Sequence, residues 1–592
     1  MSLITPEQAV TLYGLFYQRT LLSPEQIAYR HYDESDKTFK ALTWKEMAER
    51  VARLQGALKS EGLKPGDRVG IALRNGPEWV ACEQAALGLG LVVVPLYVDD
   101  RAESMAYILD HAAIKLLFMI DHHHHERLRP ALSDYGTLSK VVLLKGESAG
   151  SATVRIDDWI GPKGELAEAG GHSHDLATLV YTSGTLGRPK GVCLSHDNIL
   201  QNAYAPLGLF PFGAEDCFLS FLPLSHMLER TAGYYLPMMA GCTVAYARSI
   251  QLLAEDLKIL QPTVLIAVPR IFEKIYARLN DRLQKASPFK RALFEKTLQI
   301  GWQRFEAAQN KRSPSLAAKA SWPLLDKWVA AKVRAALGGR LRLSVSGGAA
   351  LPYEVGRFFL SLDITLLQGY GLTEASPVIS ANLPEANDPK SVGVLLPGIE
   401  AKLGAQDELL VKSRCVMQGY HRNEAATREA IDDEGWLHTG DQARIENGRL
   451  YLTGRIKEIL VLSNGEKIPP ADIENSLKLD PLFNEVLIFG EGRAFIGAVL
   501  SLNDDLWPGL ASKLKLDAQD GSALKSRELS RWLVRHCNTL LHDFPAYAKV
   551  RRVVVANEAW TVDNGLLTPT LKVKRNEVLK KYQEEIEKVY EE

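Results

Sequence analysis

From about residue 40 to 270 the chain alternates amphipathic helical stretches with short apolar, β-rich runs, and this alternation restricts the fold more than any other feature. Thr43–Glu61 places Met47, Val51, Leu54 and Leu58 on one helical face, behind a Thr-Trp-Lys-Glu start that fits a capping box. Arg68–Leu73, Val92–Leu96, Leu116–Ile120, Lys140–Leu144 and Leu179–Tyr181 then read as buried strands, and Thr263–Val268, Leu341–Val345 and Ile364–Gly369 continue the pattern. Strands separated by helices imply parallel sheets covered by helices on both faces.

Two stretches break the rhythm. Arg270–Arg342 reads as nearly continuous helix, with Phe272, Ile275, Tyr276, Leu279 and Leu283 at helical spacing. It holds 17 Lys/Arg against 5 Asp/Glu, a local excess of +12 in a chain whose net charge is −1. Beyond Ser391 the texture changes to short strands with Gly-rich turns, such as Gln406–Val411 and Arg449–Thr453. At 592 residues the chain is too long for a single core. We expect an α/β fold: a large N-terminal domain, residues 1–453, of stacked mixed and parallel sheets with helices plus a β-rich subdomain, and a small α+β C-terminal domain, residues 454–592.

The balance of 70 Lys/Arg and 71 Asp/Glu argues against a dedicated nucleic-acid binder. Six scattered cysteines without ligand spacing suit a reducing compartment. The longest uncharged apolar runs, Gln84–Val98 and Ala232–Ala247, are shorter than the roughly 18 residues of a spanning helix, and each contains a proline. With no leader-like start, a cytoplasmic protein is expected. His122–His125 reads as an exposed loop rather than a metal site. Gly88-Leu-Gly90 runs on into Leu91-Val-Val-Val and gives no dinucleotide fingerprint.

The most constrained string is Tyr181-Thr-Ser-Gly-Thr-Leu-Gly-Arg-Pro-Lys-Gly-Val192. Glycines let backbone N–H groups close on phosphate oxygens, hydroxyls add donors, and a lysine adds a mobile charge. It is not a Walker A loop, because Lys190 sits between Pro189 and Gly191. The string resembles the AMP-binding signature of the adenylate-forming superfamily, and the chain as a whole resembles its bacterial long-chain fatty acyl-CoA synthetases. Further blocks of that family follow in order: Phe221-Leu-Pro-Leu-Ser-His-Met-Leu-Glu-Arg230, Ser346-Gly-Gly-Ala-Ala-Leu351, Gln368-Gly-Tyr-Gly-Leu-Thr-Glu374, Gly435-Trp-Leu-His-Thr-Gly-Asp441, Gly454-Arg-Ile-Lys457 and Leu567-Thr-Pro-Thr-Leu-Lys-Val-Lys-Arg575.

The resemblance implies an enzyme that activates a carboxylate with ATP and Mg²⁺ and passes it to coenzyme A. Catalysis of that kind is mainly positioning plus positive charge. The nucleotide would be held by Thr182, Ser183, Gly184, Thr185, Gly187, Lys190, Gly347, Gly369, Tyr370, Gly371, Thr373, Asp441 and Arg455, with Tyr370 on the adenine, Thr373 on the α-phosphate and Asp441 on the ribose hydroxyls. Thr182 and Glu374 would hold the metal, His226 would border the carboxylate pocket and act in catalysis together with Lys190 and Lys572, and Lys572 would also bind the nucleotide. Lys574 is the alternative to Lys572, because Leu571 stands where the family carries glycine; Leu186 likewise replaces a frequent threonine. The C-terminal domain would be mobile about a hinge near residues 454–457. Val268-Pro-Arg-Ile-Phe-Glu-Lys-Ile-Tyr276 and the helical insertion after it resemble long-chain members.

Two other readings stand beside this one. The acyl group could pass to a carrier protein instead of CoA, or the chain could be a catalytically silent lipid-binding membrane-surface protein. The basic segment 270–342, with Trp302, Phe305, Trp322 and Trp328, could rest peripherally on an anionic membrane, and its bland alternative is a solvated face.

Overall fold

The computed structural model describes residues 3–132, 136–146, 152–182, 188–309, 316–568 and 572–591. The expected early strands form one sheet in the order Gly419–Tyr420, Lys190–Ser195, Leu176–Thr182, Val92–Pro95, Arg68–Ala72, Ile114–Met119, Lys140–Leu143, Thr153–Arg155. Its pairs are parallel from Leu176–Thr182 to the far edge. Side chains alternate across it: Val69, Ile71, Leu116 and Phe118 enter the main core, while Ala72, Leu117 and Met119 enter a second core on the other face. Helix Trp44–Ser60 has the expected capping box, with Thr43 Oγ1 accepting from Glu46 N and Glu46 Oε2 accepting from Thr43 N.

A larger sheet carries the parallel run Ile27–Asp33, Thr243–Tyr246, Cys217–Ser220, Val264–Ala267, Leu343–Ser346 and Leu366–Gly371. It continues antiparallel through Val378–Ala381, Val394–Leu395, Arg449–Arg455, Leu437–Glu446, Glu408–Lys412 and Glu400–Leu403. The hairpin Leu437–Glu446/Arg449–Arg455 turns at Asn447-Gly448, both with positive φ, as a two-residue turn between twisted strands requires.

The smaller C-terminal domain has its own sheet, Phe483–Phe489, Gly497–Leu502 and Arg552–Val555, buried on both faces. Val486 and Ile488 face helices Pro470–Lys478 and Arg527–Leu540, while Leu487 and Phe489 face the side holding Arg575–Lys581 and Gln583–Glu591. The α/β class and the two unequal domains are as expected.

Two local expectations change. His122–His125 is no loop: Asp121 caps a short helix, His122–Leu128, by accepting from His124 N at 3.1 Å, and His125 is buried. Trp322 is a core residue with the Arg304 guanidinium 4.7 Å over its ring, and Trp302 stacks on Phe305; of Trp302, Phe305, Trp322 and Trp328 only Trp328 is broadly exposed. The six cysteines are free thiols, with Cys82, Cys242, Cys415 and Cys537 buried and Cys193 and Cys217 half-buried. Among the described residues no helix is long and apolar enough to cross a membrane.

Candidate active site

The C-terminal ends of the parallel strands open onto one cleft of about 3950 Å³ between the two domains. Open α/β sheets offer such crevices at their carboxyl ends. Of the residues singled out in the sequence, Thr182, Lys190, His226, Gly347, Gly369, Tyr370, Gly371, Thr373, Glu374, Asp441, Arg455 and Lys572 all line it. Ser183, Gly184, Thr185 and Gly187, together with Leu186 and Leu571, lie outside the described residues.

Strand pairing explains most of the convergence. Thr182 and Lys190 are register partners at the end of the hairpin Leu176–Thr182/Lys190–Ser195 where the first strand leads into the second. Gly419–Tyr420 adds antiparallel to Lys190–Ser195, which brings the Tyr420 ring to 4.7 Å from Lys190 Nζ. The Tyr420 hydroxyl donates to Glu374 Oε1 at 2.8 Å, so Thr182, Lys190, Tyr420 and Glu374 form one contiguous wall. Gly371 allows the backbone to close there, since a Cβ would meet the Pro377 carbonyl oxygen at 1.9 Å.

Asp441 and Arg455 face one another across the hairpin that turns at Asn447-Gly448. Arg455 Nε donates to Asp441 Oδ1 at 2.9 Å, and the Tyr370 hydroxyl donates to Oδ2 at 2.6 Å. Asp441 is buried and thus oriented through both oxygens, each of which retains a lone pair for a further donor.

His226 precedes a π-helical turn, Glu229–Tyr235, that a buried ion pair ties down. Arg230 Nε donates to Glu83 Oε1 at 2.7 Å and Nη1 donates to Thr178 Oγ1 at 2.8 Å, with both charged side chains fully buried. Desolvation pushes the His226 pKa down to about 4, helped by the charge of Lys572. The ring is therefore neutral at pH 7. Its Nδ1 accepts from Leu228 N at 3.2 Å, so the proton sits on Nε2, and His226 is a hydrogen-bond donor rather than a base.

Lys572 stands at the mouth of the cleft. Its backbone is fixed by Thr568, whose Oγ1 accepts from Lys572 N at 3.0 Å and whose N donates to Lys572 O at 2.8 Å. The cleft walls around this solvent-accessible side chain partly desolvate its ammonium and lower its pKa, and Arg455 acts in the same direction, opposed by Asp441 and Glu458. The C-terminal domain therefore carries this ammonium into the group formed by His226, Asp441 and Arg455. Glu374 and Thr182 present two hard oxygen donors beside a lysine, a set that suits Mg²⁺ when phosphate and water supply its remaining ligands.

The sequence profile described as AMP-binding enzyme matches residues 18–421, and the one described as AMP-binding enzyme C-terminal domain matches residues 457–592. The chain belongs to the AMP-binding enzyme family. It is similar to the long-chain-fatty-acid–CoA ligase FadD15 of Mycobacterium bovis, at 32% identity over 96% of this chain and 95% of that one. A long-chain-fatty-acid–[acyl-carrier-protein] ligase of Arabidopsis thaliana chloroplasts, AEE15, is 26% identical over 93% of this chain and 82% of its own length. Among solved structures, the anthranilate CoA ligase AuaEII in complex with anthranoyl-AMP superposes with a TM-score of 0.74 at 19% identity, covering 97% of this chain and 98% of that one. As an AMP-binding enzyme the chain is an adenylate-forming acyl ligase.

Two participants were not visible in the sequence. Tyr420 enters only through strand pairing between segments far apart in the chain, and no local pattern announces it. Glu408 accepts from Gly440 N at 2.9 Å and pairs with His438 Nδ1 at 2.9 Å, holding the backbone just before Asp441.

Proposed function

We propose that this AMP-binding enzyme is an ATP-dependent long-chain fatty acid–CoA ligase. A fatty carboxylate and ATP would give acyl-AMP and pyrophosphate, and the CoA thiol would then displace AMP to form the thioester. The observation that carries the reading is the convergence of Lys190, His226, Tyr370, Glu374, Asp441, Arg455 and Lys572 on one cleft. The cleft wall also includes Phe210, Phe212, Phe218, Met227, Leu343 and Val345, an apolar lining suited to an alkyl chain. The naming of FadD15 supports a long-chain acid.

In this reading Asp441 accepts from the ribose hydroxyls and Tyr370 packs on the adenine. Lys190, Thr373 and the 182–187 segment hold the phosphates. His226 donates through Nε2 to the carboxylate, setting one oxygen for in-line attack on the α-phosphorus. Lys572 places its ammonium where negative charge builds between the carboxylate and the α-phosphate. Thr182 and Glu374 would hold Mg²⁺, which supplies charge neutralisation on the phosphate oxygens when bound.

One pose cannot both present Lys572 to ATP and admit the CoA thiol. We assign a domain boundary at residues 453–454 and a hinge at Gly454–Lys457, where the chain leaves the hairpin and the side chain of Lys457 pairs with an exposed partner, Glu429, at 3.5 Å. Peripheral contact with an anionic membrane through segment 270–342 is part of the proposal. It is supported by the +12 charge excess and by exposed Phe289, Leu316, Leu324 and Trp328.

Pyrophosphate release with and without a C16 acid tests the first half-reaction, and absence of acid-dependent release refutes it. CoA against acyl-carrier protein as acceptor tests the second. The likeness to AEE15 favours the carrier protein as the alternative acceptor.

A further inference from the structure

Val268-Pro-Arg-Ile-Phe-Glu-Lys-Ile-Tyr276 has no role in the chemistry above, although it lines the same cleft. Strand Val264–Ala267 ends at the cleft, Val268 is extended, and Pro269 starts helix Pro269–Gln284, so Arg270 stands on the first turn at the cleft rim. From there it reaches across the domain boundary. Its Nη1 lies 2.5 Å from Oε1 of Glu485, on the C-terminal strand Phe483–Phe489. Leu479, from the same domain, packs against the main core beside it.

Most surface ion pairs contribute little to stability. This one differs because the Glu485 side chain is only 5% exposed. A buried carboxylate is strongly disfavoured without a cation. Glu485 Oε2 keeps Lys478 of its own domain at 3.9 Å, so the carboxylate is not orphaned when Arg270 leaves, and the contact can open and re-form. Glu273, one helical turn from Arg270, adds a negative charge to the same cluster, and Lys274 adds a positive one.

The strand that carries Glu485 also anchors the segment that carries Lys572. Arg575 Nη2 donates to the Ile488 carbonyl at 2.7 Å, and Glu474 Oε1 accepts from both Ile488 N at 2.7 Å and Arg575 Nη1 at 2.5 Å. Arg575 lies three positions after Lys572, and Ile488 lies three positions after Glu485. The docking contact and the lysine are thus tied to one another through a single hydrogen-bonded strand.

We propose that Arg270 and Glu485 are positioning residues that form a reversible latch, holding the C-terminal domain in the pose that presents Lys572 to the nucleotide. The inference rests on the functional reading above and adds residues that touch no reacting atom. The latch favours adenylation and is released for thioester formation.

The test measures both half-reactions separately for Arg270→Gln, Glu485→Gln, the double variant and Arg270→Lys. Each single glutamine variant is expected to lower acid-dependent pyrophosphate release about tenfold. The double variant should be no slower than the slower single, Arg270→Lys should recover part of the rate, and thioester formation from supplied palmitoyl-AMP and CoA should be unchanged or faster. Additive losses, an equal fall in both half-reactions, or undiminished adenylation overturns the latch. Melting temperatures guard against misfolding, and Arg270→Gln, at a part-exposed side chain, carries the test if Glu485→Gln does not fold. Wild-type enzyme that releases no pyrophosphate with any fatty acid refutes the functional reading instead. The latch is then read from trypsin cleavage at Arg455 and Lys457, which must be faster in the single variants than in wild type; equal cleavage overturns it.

Discussion

Replacing Lys572 with alanine separates the two half-reactions. The ammonium lies in an open cleft rather than in a sealed interior, so the effective dielectric near it is that of a protein surface, about 20. At about 4 Å from a phosphoryl oxygen, one unit charge then contributes about 4 kcal/mol, equivalent to about a thousandfold in rate. Arg455 remains nearby in the variant and recovers part of that field, so the expected loss in palmitate-dependent pyrophosphate release is between about a hundredfold and a thousandfold. The side chain is exposed, and its removal should change stability by no more than about 0.5 kcal/mol. Conversion of supplied palmitoyl-AMP and CoA to the thioester should stay near the wild-type rate, because no charge builds on the α-phosphate in the same way. Stopped-flow pyrophosphate detection and a thiol-consumption assay read the two steps independently. Equal loss in both steps, or selective loss in Lys574→Ala instead, refutes the reasoning.

Lys457→Pro fixes φ and removes a donor at the hinge, so one half-reaction should survive and the other fail; near-normal overall turnover contradicts the hinge placement. Burial holds the His196 pKa down to about 4 from 6.5, with its Nδ1 accepting from Leu12 N at 3.2 Å. The unfolded chain therefore takes up this proton first, and the stability tied to neutral His196 is complete above pH 6.5 and is lost between pH 6.5 and pH 4, by about 3 kcal/mol. Urea melts of wild type and His196→Gln across that window check it, and parallel pH slopes refute it. Vesicles of phosphatidylglycerol, but not of phosphatidylcholine, should sediment the protein at low salt, and Phe289→Glu with Trp328→Glu should abolish this; protein that stays in the supernatant removes the membrane from the proposal.

Local signals carried much of the architecture. The capping box at Thr43, the apolar runs at Arg68–Ala72 and Val92–Pro95, and the helical spacing after Pro269 each follow from nearest neighbours along the chain, and the structure contains all of them. Register across distant segments was not legible. Nothing near Gly419–Tyr420 indicates that it pairs with Lys190–Ser195, although that pairing delivers Tyr420 to Glu374. Composition misled at Trp322, where an aromatic in a basic helix reads as surface but packs inside, because charge counts do not say which face of a helix meets the core. The twelve described residues of the candidate site were legible only because the motif strings are long, since a lone Glu374 or Lys572 carries no pattern.

The six unpaired thiols bear on a hazard of the proposed chemistry. An acyl-adenylate is a mixed anhydride and reacts with thiolates far more readily than with thiols. Burial raises every cysteine of the chain, Cys193 and Cys217 to about 11 and Cys537 to about 12, with Cys82, Cys242 and Cys415 moved the same way. At neutral pH Cys193 and Cys217, the two half-buried ones, hold about a hundredfold less thiolate than an ordinary cysteine. In the proposed reaction this leaves a thiol delivered from outside as the better nucleophile for the activated acyl group.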